Sequence, residues 1–138
     1  GAVQKYAKKV SGPLLDRIDL HTEVPALSHA ELEGNEAEPS AAVRERVIRS
    51  RQVQAKRFRG LSLSANSEMG VREIKQFIRL SPQLKSMLAL AHERHRLSAR
   101  AYHKILKISR TIADLEDSEE IKEPHLSEAL QYRPKQEI

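Results

Sequence analysis

Residues 98–115, SARAYHKILKISRTIADL, decide the fold class of this chain. Five apolar residues in the stretch are spaced alternately four and three apart: Ala101, Ile105, Ile108, Ile112 and Leu115. This spacing is the stripe of a helix that buries one face. Ser98 is a preferred N-cap residue, and the acidic run over 114–120 interrupts the stripe. The pattern therefore predicts a long amphipathic helix that begins after Ser98.

Four further helices are predicted around it. Ser40 can cap a helix that ends near Gly60 and carries Val43, Val47, Ala55 and Phe58 on its buried face. A short helix follows with Val71, Ile74 and Ile78. Ser81-Pro82 is a cap and first-turn proline before Leu84, Met87, Leu88 and Ala91. Pro124 opens the last helix, with Leu126, Ala129 and Leu130.

The segment before these helices has a different pattern. Leu14–Arg17 can form one helical turn, and residues 18–24 alternate apolar and polar side chains until Pro25. That alternation predicts a short strand, which needs partner strands to be stable. Residues 26–39 are acidic and lack a sustained apolar period, as is typical of a linker. The fold class is thus mostly all-α, a small helical bundle preceded by a single short strand.

Composition bounds the function classes. The chain has 138 residues, a net charge of +5 and no cysteine, which excludes disulfide scaffolds and thiolate chemistry. No apolar run approaches the roughly 20 residues of a membrane-spanning helix, so no membrane partner is expected. The absence of cysteine agrees with a reducing, cytoplasmic location. Because the chain starts Gly1-Ala2-Val3 and its methionines are Met69 and Met87, we expect a fragment of a longer protein.

Familiar catalytic motifs are absent from the sequence. None of the five glycines is followed by lysine, so no phosphate-binding loop is present, and there is no nucleophile elbow. His92 and Glu93 resemble the start of a zinc-protease signature, but Arg96 stands where its second histidine is required. We therefore expect no metal site, and catalysis by this chain alone has no visible machinery.

Two arginines are candidate anion-binding residues. Arg17 lies where the predicted turn meets the strand, and its planar guanidinium suits phosphate oxygens, although the residue alone favours a surface ion pair. Arg100 is the second residue of the helix capped by Ser98, where the helix dipole disfavours a cation. A phosphate bound at that helix end would offset this cost; a solvated arginine is the alternative.

A third candidate is the basic run over 44–59. It holds seven cations against one anion, a local net charge of +6. Arg46, Arg49, Lys56 and Arg57 fall opposite the predicted Val43/Val47/Phe58 stripe, as on an ordinary solvated face. Nucleic-acid phosphates are the other possible partner of this face.

Four sequence blocks carry a family resemblance: residues 11–21, 97–107, 109–115 and 128–133. They resemble the magnesium chelatase-like AAA+ ATPases of bacteria, in the branch of the competence protein ComM. The resemblance covers nearly the whole chain and is weakest across 26–96. It implies that residues 1–25 end the AAA+ core, that 26–39 are the acidic linker, and that 40–138 form the C-terminal helical lid.

The resemblance also implies roles for single residues. Arg17 matches the arginine finger, which reaches the ATP site of the next subunit, and Arg100 matches the sensor 2 arginine of the lid. Family members bind ATP and Mg²⁺ and form hexameric rings, so the chain would pair with an upstream AAA+ core and with copies of itself. DNA processing in competence is the implied activity. The alternative is a nucleic-acid-binding helical module that uses the basic face of residues 44–59.

Overall fold

A computed structural model describes residues 14, 17–26, 29 and 38–133 of the chain. The described residues include five α-helices and one 3-10 turn, Asn66–Glu68, between the first two helices. The helices are α1 (Ser40–Arg57), α2 (Val71–Phe77), α3 (Pro82–His95), α4 (Ala99–Leu115) and α5 (Glu123–Gln131). The predicted helical bundle is therefore confirmed. None of the described helices is both long enough and apolar enough to cross a membrane.

Helix α4 is the centre of the bundle. It packs against α1, α2, α5 and the 3-10 turn. Its residues Ile105, Leu106 and Ala113 are buried together with Leu88 from α3 and Leu126 from α5. A fully buried aliphatic side chain of this size contributes about 1.5–3 kcal/mol relative to an exposed one. The helix predicted from residues 98–115 thus supplies most of the surface on which the others pack.

Serine caps fix where two of the helices begin. The Ser98 hydroxyl accepts a hydrogen bond from the Ala101 amide at 3.1 Å, and the Ser81 hydroxyl accepts one from the Leu84 amide at 3.3 Å. Each satisfies an amide that has no partner inside the helix. Both predicted caps are confirmed, and Pro82 occupies the first turn of α3 as expected.

Helices α3 and α4 end in the same way, at a residue with left-handed backbone. Arg96 has φ 45° and Asp117 has φ 54°. The Leu97 amide then donates to His92 O at 3.1 Å, and the Ser118 amide donates to Ala113 O at 2.8 Å. These bonds satisfy carbonyls that the helix leaves open, in the pattern of a Schellman cap. Glycine would adopt this conformation without strain, but neither position holds one.

The predicted buried face of α1 is wrong except for its last residue. Val43 and Val47 are 39% and 46% exposed, and Ala55 is exposed, whereas Phe58 is 2% exposed just beyond the helix. The buried residues of α1 are Ser50 and Gln54. Only the C-terminal half of the helix packs on the bundle, so the apolar period at its start has nothing to cover it. The predicted cap is also displaced: Pro39 is the N-cap, and Ser40 is already helical.

The predicted strand over residues 18–24 does not form. Residues 18–26 are irregular, and no described segment pairs with them as a strand. An isolated strand leaves its backbone groups unpaired, so the alternating pattern alone cannot produce one. Of the predicted turn before it, only residues 14 and 17 are among the described residues, and the Arg17 amide donates to Leu14 O at 3.0 Å. Most of the predicted acidic linker, 26–39, lies outside the described residues.

Candidate functional site

A cavity of about 760 Å³ opens along α4, from Arg100 to Leu115. Four basic side chains of α4 line it: Arg100, His103, Lys104 and Lys107. Their spacing of three and four residues places them on one helix face. The other walls come from Asp19 and Leu20 in the N-terminal segment, from residues 67 and 69–71 at and after the 3-10 turn, and from Glu128 and Tyr132 at α5 and its end. The cavity therefore has a cationic side that α4 alone supplies.

The floor of the cavity is apolar. Met69, Ile74 and Ile112 line it, and all three are buried in the core. Charges placed above such a floor are less screened than charges in open water. The cleft thus combines a low-dielectric base with a row of cations, an arrangement suited to an anionic group carried on a larger molecule.

Arg100 lies at the mouth of this cleft, as the second residue of α4. Its side chain is exposed, and it has no hydrogen bond or ion pair with any described residue. The predicted position after the Ser98 cap is confirmed by the cap geometry. The guanidinium and the helix start therefore face the same opening; the carboxylates of Asp19 and Glu128 also line it, but neither forms an ion pair with Arg100.

Lys107 lies two turns further along the same face. Its Nζ donates to Ser67 O at 2.9 Å. Burial lowers the pKa of Lys107 below the ordinary lysine value, Asp19 opposes this, and the nearby Arg100 charge lowers it further. A partly desolvated ammonium beside a second cation gains most from an added anion.

Lys104 holds the N-terminal segment against α4. Its Nζ donates to Ile18 O at 2.9 Å and lies 3.2 Å from the Asp19 carboxylate. The His21 amide also donates to Tyr132 O, at 2.9 Å. Arg17 immediately precedes these contacts; its side chain is exposed and makes no hydrogen bond or ion pair with the described residues. The structure therefore brings the backbone next to Arg17 onto the helix that carries Arg100.

The predicted basic face of α1 is not a uniform solvated surface. Arg49 and Lys56 are exposed. Arg46 forms an ion pair with Glu38, and its hydrogen bond to that carboxylate lowers the pKa of Glu38. Arg57 points inward and binds Asp114 of α4. The placement of Arg57 on the outer face is thus wrong, because its partner is buried in the bundle.

Sequence reasoning missed the polar cluster around Asp114. It treated Asp114 as the start of an acidic run that ends α4. In the structure the carboxylate is buried and receives hydrogen bonds from Arg57, Asn66 and Arg110. The available signal was the Arg110–Asp114 spacing of four residues, which places opposite charges on one helix face. The partners from α1 and the 3-10 turn had no local signal.

Comparison with known proteins identifies the family of the chain. The family model of the C-terminal region of magnesium chelatase subunit ChlI matches residues 37–133, and the model of the ChlI subunit itself matches residues 1–32. The chain belongs to the magnesium chelatase ChlI family. The boundary between the two matches falls within the predicted acidic linker.

Individual relatives of this family support the ComM branch. The chain is 43% identical over 95% of its length to the competence protein ComM of Haemophilus influenzae. It is 38% identical over 94% of its length to the protein YifB of Escherichia coli, and 31% identical over 81% to the protein Mb2921c of Mycobacterium bovis. The chain spans 25%, 25% and 22% of those three proteins. It therefore corresponds to about a quarter of a ComM-like protein.

Proposed function

We propose that this chain is the C-terminal lid region of a magnesium chelatase-like AAA+ ATPase, with Arg100 as the sensor 2 residue that contacts the nucleotide phosphates of its own subunit. One observation carries the proposal. Arg100 lies at the capped start of the central helix, exposed at the mouth of a basic cleft and without an ion-pair partner among the described residues.

The chemistry of that position favours a phosphate. The positive end of a helix dipole disfavours a cation in the first turn, so Arg100 lowers the stability of the free helix slightly. A bound phosphate turns this cost into a stabilisation, because the guanidinium and the open backbone amides both donate to its oxygens. Lys107 adds a second charge to the same cleft. Nucleotide binding at this place would therefore draw α4 toward the phosphates.

Arg17 is proposed as the arginine finger that acts on the ATP of a neighbouring subunit. Its side chain is exposed, and it immediately precedes a segment fixed to the bundle. A finger of this kind stabilises charge on the transferring phosphoryl group, worth about 10³–10⁵ in rate in related NTPases. Such a role requires a ring, and we propose the hexamer typical of the family.

The remaining machinery must come from elsewhere in the longer protein. The sequence has no phosphate-binding loop, and the described residues contain no group of three acidic or histidine side chains that could hold a metal. ATP would thus be held mainly by the upstream AAA+ core, with Mg²⁺ neutralising its phosphate charge there. The residues of this chain would bind and orient phosphate oxygens from the lid side.

DNA processing is the activity we propose for the assembled ring. The support is the similarity to a relative named for competence. The basic face of α1 is not put forward as a separate DNA-binding function, because Arg46 and Arg57 are engaged by carboxylates within the chain.

The test is ATP turnover by the full-length protein, with and without branched DNA. Four forms are compared: wild type, Arg17→Ala, Arg100→Ala and the control Arg94→Ala, which removes an exposed arginine of α3. We expect the Arg17 variant to lose most turnover while it still binds nucleotide, and the Arg100 variant to hydrolyse or bind ATP more weakly. The control should match wild type.

Each assignment has its own contradicting result. Normal turnover in Arg17→Ala would remove the finger assignment, and an unchanged nucleotide response in Arg100→Ala would leave Arg100 a solvated surface residue. ATPase activity that is indifferent to DNA would count against DNA as the substrate while leaving the two arginine roles open to the variants.

A further inference from the structure

The segment after Arg17 is attached to the bundle at two points. The Lys104 ammonium donates to Ile18 O at 2.9 Å and lies 3.2 Å from Asp19 Oδ1. Three residues on, the His21 amide donates to Tyr132 O at 2.9 Å, next to the end of α5. Although residues 18–26 form no strand, the peptide that follows Arg17 is therefore tied to α4 and α5.

Lys104 is the stronger of these attachments. Its side chain is only 15% exposed, whereas lysine side chains are usually solvated. The ion pair with Asp19 contributes little by itself, because that carboxylate is 64% exposed and well screened. The hydrogen bond to the Ile18 carbonyl is different, since a charged donor holds one particular peptide in place. The contact fixes backbone immediately adjacent to Arg17.

Lys104 also lies one helical turn after Arg100. The two side chains share a face of α4, so they move together whenever the helix moves. Arg100 faces the cleft opening, while Lys104 holds the N-terminal segment. One rigid helix thus contacts both the proposed nucleotide-binding residue and the backbone beside the proposed finger.

We infer that Lys104 is a positioning residue that sets the orientation of Arg17 through the Ile18 peptide. The inference rests on the proposed function, because it assumes that Arg17 acts on a phosphate in the neighbouring subunit. Through Lys104, a shift of α4 that accompanies phosphate contact at Arg100 moves the finger of the same subunit. Nucleotide state in one site is then transmitted to catalysis in the adjacent site.

A first experiment measures the attachment in the chain itself. Amide hydrogen exchange at His21 is followed in wild type, Lys104→Met, Lys104→Arg and the control Lys85→Met, an exposed lysine of α3. Methionine keeps the aliphatic stem and removes the charged donor. We expect severalfold faster exchange in Lys104→Met, partial or full restoration in Lys104→Arg, and wild-type exchange in the control. Unchanged exchange in Lys104→Met would overturn the inference.

A second experiment separates positioning from direct nucleotide contact, in the full-length ATPase. If Lys104 acts through Arg17, Lys104→Met lowers kcat with little change in KM for ATP, and it causes no further loss in an Arg17→Ala background. A rise in KM, or an equal loss of turnover in both backgrounds, would mean that Lys104 acts independently of Arg17 and would overturn the inference.

The same measurements distinguish a failure of the Arg17 finger assignment from a failure of the Lys104 positioning role. If Arg17→Ala alone retains normal turnover, the proposed finger fails, whatever Lys104 does. If Arg17→Ala is impaired and Lys104→Met is not, the finger stands and the positioning role fails. Lys104→Arg should recover most of the turnover that Lys104→Met loses, since it preserves a charged donor.

Discussion

Arg57 and Asp114 are joined by two hydrogen bonds, of 2.7 and 2.5 Å, that connect α1 to α4. Asp114 has a fully buried side chain and also accepts bonds from Asn66 at 2.8 Å and from Arg110 at 3.0 Å. Arg110 in turn donates to the Ser118 and Glu119 carbonyls beyond α4. Burial lowers the pKa of Arg110, and the Asp114 charge opposes that effect. One buried carboxylate therefore organises both the packing of α1 and the end of α4.

Removal of Arg57 should destabilise the bundle. In Arg57→Met the Asp114 carboxylate keeps Asn66 and Arg110 but loses a bidentate partner, so we expect a loss of about 2–4 kcal/mol in the free energy of unfolding. Urea denaturation followed by circular dichroism measures it. The matched control is Arg49→Met, on the exposed part of α1, which should stay within about 0.5 kcal/mol of wild type. Equal stability of the two variants would show that the buried pair contributes no net stabilisation.

The Ser98 cap of α4 should contribute measurably to the stability of the chain. In Ser98→Ala the Ala101 amide loses its acceptor, and we expect about 1 kcal/mol less stability. Thermal unfolding of the chain reports the change. Ser86→Ala is the comparison, because this exposed serine lies inside α3 and its hydroxyl donates to the Pro82 carbonyl of its own helix. That substitution should be neutral or slightly stabilising, since alanine has the higher helix propensity. A neutral Ser98→Ala would contradict the assigned cap.

Glycine substitutions at Arg96 and Arg94, two residues apart, should change the stability of the chain in opposite directions. Arg96 ends α3 with φ 45°, so Arg96→Gly relieves left-handed strain and should stabilise the chain by about 0.5–1 kcal/mol. Arg94 lies in the last turn of the helix, where its backbone is still helical and glycine should cost up to about 1 kcal/mol. Both variants remove one exposed arginine, so charge is matched. Destabilisation by Arg96→Gly would mean that the Arg96 side chain contributes more than its backbone conformation costs.

Lys107 should titrate below the ordinary lysine value of 10.5. Burial is the main reason that its pKa is lowered, so NMR of the Lys107 side chain should follow a depressed midpoint in the folded chain. Arg100→Ala should raise the pKa of Lys107, because a neighbouring positive charge is removed. Asp19→Asn should lower that pKa further, because the opposing negative charge is lost. A shift in the reverse direction in either variant would contradict the geometry of the cleft.

This depressed pKa also fixes the sign of a stability effect. The folded chain binds the Lys107 proton less tightly than the unfolded chain does, so the contribution of Lys107 favours folding more as pH rises. The change occurs between its lowered folded pKa and 10.5, and it is complete above 10.5. Below the folded pKa, both states carry the charge and the cost of burying it remains. Comparison of wild type with Lys107→Met across that alkaline window isolates the contribution.

The helices in which a cap residue and an apolar stripe indicate the same element, α3 and α4, were predictable from sequence. Ser81-Pro82 and Ser98 mark helix starts by chemistry that acts within three residues, and the periodic stripe after Ser98 identifies the core helix. Arg100 could be placed at a helix start for the same reason. In α1 the local signal misled, because an apolar period at Val43 and Val47 does not say whether a neighbour is present to cover it.

The sequence by itself determined the helical class, the two serine caps and the position of Arg100 in the first turn of α4, because these depend on interactions between residues close in the chain. Only the tertiary structure decided that Arg57 turns inward to Asp114, 57 residues away, and that Lys104 reaches Ile18, 86 residues away. Such contacts leave no periodic trace in the sequence. They form because a buried carboxylate needs donors and an ammonium near a desolvated surface needs acceptors, and the packed helices determine which distant groups are close enough to serve.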